Sequence, residues 1–147
     1  METDIEKYFN ETILEQDGAL RDIFVRNTNI EDWEKVYTYL ISSDLDILYL
    51  KDQKQTVPPN TAREILNNKD VSHTLRVGIE NIFFHCYFFG EEEIEFDFDP
   101  RDFEAIDQYR ITIIFMELLH ELTNKIVHLQ WEGDTEKNEP LYTVSKF

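Results

Sequence analysis

The chain has 147 residues, of which 41% are hydrophobic and 14% are aromatic. This length suits a single domain spanning residues 1–147, and the apolar content argues against intrinsic disorder. The formal net charge of -17, from 31 acidic and 14 basic residues, disfavours direct binding to nucleic acid or to an anionic membrane, because both are bound mainly through Lys and Arg.

The cellular compartment is suggested by what the sequence lacks. Cys86 is the only cysteine, so an intrachain disulfide is excluded. The first residues, METDIEKYFNETILEQD, have no apolar core of the kind found in secretory signals. There is also no run of about 18 apolar residues that would span a membrane. We therefore expect a cytoplasmic protein.

The first part of the chain predicts short helices and strands in alternation. Apolar spacing predicts a helix at residues 5–14 and a strand at residues 20–25. Thr28 and Glu31 match a capping box, and the apolar stripe that follows predicts a helix to about Ser42. A strand is predicted at 46–50. If the two strands are parallel, their crossover is right-handed.

The remaining elements follow from turn residues and apolar periodicity. Pro58 and Pro59 indicate a loop, which a short helix at 61–67 follows, capped by Asn60 or Thr61. Asp99 and Pro100 indicate the start of a long helix that runs to about Asn124, with an apolar stripe that includes Ile114. Strands are predicted at 74–79, 81–89, 93–99, 126–131 and 141–144, and the one at 81–89, apolar on both faces, is expected to be central.

This order of elements predicts the fold class. Strands cluster in the middle of the chain, and the long helix comes after them. We expect an α+β fold with a mixed or mainly antiparallel sheet and with helices mainly on one face.

The residues that most often carry chemistry are poorly arranged for it. The spacing of His73, His85, His120 and His128 matches no metal-binding motif. Cys86 directly follows His85, so on a strand the two side chains point to opposite faces and cannot pair. No nucleophile elbow or glycine-rich phosphate loop is present. We expect no enzymatic activity, no catalytic residues, no cofactor and no metal.

The most informative feature is an acidic ladder, defined here as Glu93, Glu95, Asp97 and Asp99. These residues alternate with apolar ones, so the four carboxylates are expected on one face of a strand, spread over about 20 Å. Between Phe89 and Asp107 there are nine acidic residues and one basic residue, which gives a local charge of -8.

We predict that this segment binds a basic protein partner, since charge complementarity accelerates association. The predicted partner-binding residues are Glu91, Glu92, Glu93, Glu95, Asp97 and Asp99. Tyr87, Trp131 and Tyr142 are candidate aromatic anchors. Two simpler explanations remain open: a solvated outer face, or an edge strand that charge protects against aggregation.

Two segments resemble a known class of proteins. LRDIFVRNTNIEDWEKV (residues 20–36) and EEEIEFDFDPRDF (residues 91–103) are similar to small acidic immunity proteins of bacterial polymorphic-toxin systems, over about a fifth of the chain. The resemblance implies a cytoplasmic inhibitor that binds and occludes one cognate toxin domain, such as a basic nuclease domain. It supplies no contact residues.

Two other functions are consistent with the sequence. A nucleic-acid mimic that blocks a DNA-binding protein would require further acidic rows, because duplex DNA carries one charge per about 1.7 Å. A small enzyme or ligand-binding domain would require a pocket between the long helix and the sheet, with converging histidine and carboxylate groups.

Overall fold

The computed structural model describes residues 20–103, 106–131 and 140–145, with residues 106, 107 and 131 described by their backbone alone. The helix predicted at residues 5–14 lies outside this part of the chain. The described elements, in chain order, are β1 (Arg21–Arg26), α1 (Ile30–Ile41), β2 (Asp46–Lys51), β3 (Lys54–Gln55), α2 (Ala62–Asn67), β4 (His73–Ile79), β5 (Ile82–Cys86), β6 (Glu93–Phe98), a 3-10 turn (Pro100–Asp102), α3 (Ile106–Thr123), β7 (Val127–Trp131) and β8 (Tyr142–Val144).

The described strands form one sheet in the order β3-β2-β4-β5-β6-β1-β7-β8. Neighbouring strands in this sheet pair antiparallel, which confirms the predicted α+β class. β1 lies between β6 and β7, whereas β2 lies between β3 and β4. The first helix therefore connects two distant strands, and the parallel β-α-β arrangement considered from the sequence does not form.

Two hairpins turn through pairs of residues with positive φ. Asp52 and Gln53 join β2 to β3, with φ of 49° and 68°, and Glu80 and Asn81 join β4 to β5, with φ of 48° and 70°. Positive φ at both central residues is typical of the type I′ turn, whose twist matches that of an antiparallel pair. β3 was not predicted from the sequence because it lies in a polar stretch without apolar alternation.

α1 begins one residue later than the capping box predicted. Asn29 caps the helix: its side chain accepts a hydrogen bond from the Asp32 amide at 2.9 Å, and the Asp32 carboxylate accepts one from the Asn29 amide at 3.1 Å. Thr28 and Glu31, the predicted pair, do not form this box. The Thr28 hydroxyl instead donates to the carbonyl of Glu91, 2.7 Å away.

The helices pack on one face of the sheet, as predicted. The Phe115 ring of α3 lies 4.3 Å from the Phe84 ring of β5 and 4.9 Å from the Phe96 ring of β6, between centroids. In α1, the Trp33 ring stacks on Phe88 at 5.2 Å. All these side chains belong to one apolar core, which leaves a second face of the sheet pointing away from α1, α2 and α3.

The long helix differs from its prediction in two respects. Asp99 caps only the short 3-10 turn, which ends at Phe103, and α3 begins at Ile106. Ile114, predicted in the apolar stripe, is 63% exposed. It lies on the stripe of α3 that carries the exposed residues Arg110, Glu117 and Glu121, since positions three and four apart share a helix face.

Candidate functional site

The structure divides the six predicted binding residues into three groups. Glu91 and Glu92 lie in the turn before β6 and are exposed. Glu93, Glu95 and Asp97 alternate along β6 with the buried Ile94, Phe96 and Phe98, and therefore lie on the second face. Asp99 follows the strand and belongs to the 3-10 turn.

The position of β6 limits one of the simpler explanations for the acidic ladder. β6 pairs with β1 over Glu93 to Phe98 and with β5 at Asp97 and Phe96. It is therefore an inner strand of the sheet at Phe96 and Asp97, whereas Glu93 to Glu95 have a strand partner on the β1 side alone. Charges that guard against aggregation belong on edge strands, so edge protection does not explain Asp97, and it applies at most to Glu93 and Glu95.

The ladder is also not uniformly solvated. Asp97 is buried and lies directly opposite Asp22 of β1, which is buried as well. On the β5 side, His85 Nδ1 lies 3.6 Å from Asp97 Oδ1. Asp22 was not predicted as part of this site. In the sequence, Asp22 stands out only as a lone carboxylate among the apolar residues of the first strand. That it lies opposite Asp97 follows from the strand order.

Glu95 has an unusual protonation equilibrium because it is partly buried and lies among other carboxylates. Its partial burial, followed by repulsion from Asp22, Glu93 and Asp97, raises its pKa to about 7, and Arg26 opposes the shift. A carboxyl group in this state exchanges its proton near neutral pH. The alternation in the sequence predicted equivalent carboxylates, and the structure shows that they are not equivalent.

The other end of the ladder is already neutralised internally. Arg101 donates to both carboxylate oxygens of Asp99, from Nε at 3.0 and 3.1 Å and from a terminal nitrogen at 2.7 Å. This side-chain hydrogen bonding holds the pKa of Asp99 below its usual value. Asp99 is thus engaged within its own turn and is a poorer candidate for partner contact than Glu91 or Glu92.

Glu93 has a basic neighbour that the sequence did not indicate. Arg26 Nε lies 3.4 Å from Glu93 Oε2, and an Arg26 terminal nitrogen donates to Gln130 Oε1 at 2.9 Å. The Glu93 side chain is nevertheless 41% exposed. Of the six predicted binding residues, the accessible ones are therefore Glu91, Glu92 and Glu93.

Two aromatic rings line this accessible end. Tyr87 and Phe89 stack with their centroids 5.8 Å apart and their planes at 21°. Together with Gly90, Glu92, Glu93 and Glu95 they line an open cavity of about 210 Å³, which we call the notch. Phe89 is 74% exposed, although its stretch of sequence predicted a strand covered on both faces.

The predicted anchors have different outcomes. Tyr87 lines the notch. Tyr142 is half-buried on the edge strand β8. The side chain of Trp131 lies outside the described part of the chain.

The turn that carries Glu91 and Glu92 is held rigidly. The Glu91 carbonyl accepts hydrogen bonds from the Thr28 hydroxyl at 2.7 Å and from Trp33 Nε1 at 3.1 Å. The Thr28 amide donates to the Glu92 carbonyl at 3.1 Å. Thr28 and Trp33 are both buried, so the backbone beneath these carboxylates is fixed before any partner arrives.

Other chemistry has little support among the described residues. They hold no cluster of three or more His, Cys, Asp or Glu side chains suited to a metal ion. Cys86 is buried in the core, where burial raises its thiol pKa well above the usual value, and His85 points to the second face. No helix in the described ranges is long and apolar enough to cross a membrane.

One pocket has part of the arrangement expected of an enzyme. Glu117, His120 and Glu121 line a cavity of about 300 Å³ between α3 and β8. Both carboxylates are exposed, and His120 Nδ1 is paired with the Lys125 carbonyl at 2.8 Å. The groups therefore lie at the surface and do not converge on a buried point.

Comparisons with protein-family models, with curated proteins and with solved structures found no match to this chain. Its function therefore has to be inferred from the residues themselves.

Proposed function

We propose that this chain is an immunity-type inhibitor that binds a basic domain of a toxin and occludes its functional surface. The observation that carries the proposal is the combination at one end of the second face: a largely exposed Phe89 beside the carboxylates of Glu92 and Glu93. Protein interfaces commonly place an aromatic anchor inside a polar rim.

Charge supports a basic partner. The chain carries -17 in total, and such a field accelerates the approach of an oppositely charged surface. Lys and Arg of the partner would form charge-assisted hydrogen bonds with the exposed carboxylates of Glu91 and Glu92. Burial of Phe89 would then slow dissociation, because apolar anchors contribute mainly once water has been expelled.

Rigidity supports tight and selective binding. The backbone of Glu91 and Glu92 is fixed by the hydrogen bonds from Thr28 and Trp33. A surface that is ordered in advance loses less conformational entropy on association. This suits an inhibitor that must recognise one partner.

The nucleic-acid mimic gains less support. Beside the ladder on the second face, β1 presents one carboxylate, Asp22, together with Phe24 and Arg26, and β5 presents His85. In the described part of the sheet, Phe24, Arg26 and His85 interrupt the second acidic row that a nucleic-acid mimic requires.

The proposal predicts that a neighbouring gene encodes a secreted protein with a toxin-like C-terminal domain, and the absence of such a gene would count against it. That domain is expressed in a heterologous host with or without the chain. We expect growth to be restored by the wild-type chain and by the Glu117→Lys/Glu121→Lys control, but not by Glu91→Lys/Glu92→Lys. Equal rescue by both double variants, or no rescue by the wild type, would overturn the proposal.

A further inference from the structure

The notch has the composition of a receptor for one planar cation. Its walls combine the stacked rings of Tyr87 and Phe89 with the side chains of Glu92, Glu93 and Glu95. We propose that the notch binds a single arginine side chain of the partner, an inference that rests on the proposed function and names the group recognised.

The size of the notch suits a guanidinium group. An engineered cavity of about 150 Å³ is enough to hold benzene, and the notch offers about 210 Å³. The Tyr87 and Phe89 rings stack with their planes at 21°, and Phe89 is largely exposed. A guanidinium group can lie flat on an exposed ring of this kind.

The notch carries a net negative charge, which favours a cation. Three carboxylates line it, and Arg26 lies against one of them, with its Nε 3.4 Å from Glu93. Three negative charges less one positive charge leave about two uncompensated when all are ionised. An Arg26 terminal nitrogen also donates to Gln130 at 2.9 Å, and the charge of Arg26 lowers the pKa of Glu95 in part.

Arginine fits this combination better than lysine. A guanidinium stacks on an aromatic face and at the same time donates two parallel hydrogen bonds to a carboxylate, whereas an ammonium is a compact and strongly hydrated charge. The exposed ring of Phe89 supplies the face, and Glu92 in the adjacent turn supplies a carboxylate. Both elements of recognition lie within one cavity.

The notch is present before a ligand arrives. Phe88 packs inward against Trp33 at 5.2 Å and Tyr37 at 6.2 Å. The neighbouring rings of Tyr87 and Phe89 continue a stack that begins at His85, with successive centroids 6.4 and 5.8 Å apart. On the opposite wall, the Glu91–Glu92 turn is fixed by Thr28, so neither wall has to be built on binding.

The test uses N-acetyl-arginine methylamide as a probe, titrated into the full chain and followed by NMR. We expect saturable shifts of the signals of Tyr87, Phe89 and Glu92. Binding of N-acetyl-lysine methylamide should be about two- to fivefold weaker, because an ammonium lacks the flat stacking and the paired hydrogen bonds of a guanidinium.

Two variants make the result decisive. Phe89→Ala, at an exposed position, and Glu92→Gln should each weaken arginine binding, whereas Glu121→Gln should not. Unchanged near-ultraviolet circular dichroism verifies folding. Shifts that do not saturate, that map elsewhere, that persist in Phe89→Ala, or that are equal for lysine would overturn the inference. If the chain still rescues growth while the notch fails this test, the proposed function stands and only the arginine assignment is lost.

Discussion

The Thr28 hydroxyl donates a 2.7 Å hydrogen bond to the carbonyl of Glu91, and so connects the start of α1 to the turn that carries the exposed carboxylates of Glu91 and Glu92. The two residues are far apart in sequence and lie in different loops. This bond therefore couples the position of α1 to the position of the Glu91–Glu92 turn.

We predict that Thr28→Val lowers the free energy of unfolding by about 1 kcal/mol, since it removes one hydrogen bond at a buried position. It should also weaken arginine-probe binding, although Thr28 does not line the notch. Urea denaturation and the NMR titration measure the two effects. Thr28→Ser retains the hydroxyl and should restore probe binding, and a Ser variant as impaired as Val would disprove the role of the bond.

The helix cap gives a separate prediction. Asn29→Ala should destabilise the protein by about 1 kcal/mol, because its side chain accepts from the Asp32 amide. Glu31→Gln, at the position that the sequence pattern assigned to the box, should have a much smaller effect. Thermal unfolding of both variants distinguishes the observed Asn29–Asp32 capping box from the predicted Thr28–Glu31 box. A larger loss of stability for Glu31→Gln than for Asn29→Ala would contradict the observed cap.

Charge reversal at the exposed end should act on association kinetics. Glu91→Lys/Glu92→Lys should slow association with a fluorescent hexa-arginine peptide about tenfold or more at low ionic strength, and the difference should shrink as salt is added. Stopped-flow mixing provides the rates. The matched Glu117→Lys/Glu121→Lys variant carries the same charge change on α3, so an equal loss there would show that only the total charge matters.

Glu95 should make stability depend on pH. Its folded-state pKa of about 7 lies above the ordinary value of 4.5, so the folded state binds the proton more tightly than the unfolded state does. Stability from this group is present below pH 4.5 and is lost as pH rises through 7. Glu95→Gln should therefore stabilise the protein relative to wild type at pH 8 and not at pH 4.5, as measured by urea denaturation at each pH. A constant difference would refute the shift.

The same titration should affect the notch. The charged groups that act on the pKa of Glu95 are Asp22, Glu93, Asp97 and Arg26, and Glu95 in turn acts on the pKa values of Tyr87 and of the core residue Cys86. Ionisation of Glu95 adds a negative charge, so arginine-probe affinity should rise between pH 6 and pH 8. Asp97→Asn removes one source of repulsion and should move this rise to lower pH. Binding that is independent of pH in both proteins would exclude Glu95 from recognition.

Local patterns predicted the elements well. The alternation of Glu93 to Phe98 identified β6, and the pair Asn60 and Thr61 indicated the start of α2, which Thr61 caps, because both signals depend on spacing along the chain. Asp99 and Pro100 do begin a helical segment, but this segment is only a 3-10 turn. The long helix α3 begins further along the chain, at Ile106.

Features that depend on strand order were not predictable from one sequence. The pairing of Asp22 with Asp97 and the contact of Arg26 with Glu93 both arise because β1 inserts between β6 and β7. The exposure of Phe89 has a similar origin: the strand ends at Cys86, and the residues after it leave the sheet. Hydrophobicity alone had placed Phe89 inside.

The inner position of β6 gives its carboxylates a role that precedes any binding. Shifting β6 by one residue against β1 would exchange its two faces and drive Glu93, Glu95 and Asp97 into the core occupied by Phe84 and Phe115. Carboxylates cannot be buried in such an apolar core without a large penalty. The acidic residues thus disfavour any pairing of β6 with β1 that is shifted by one residue.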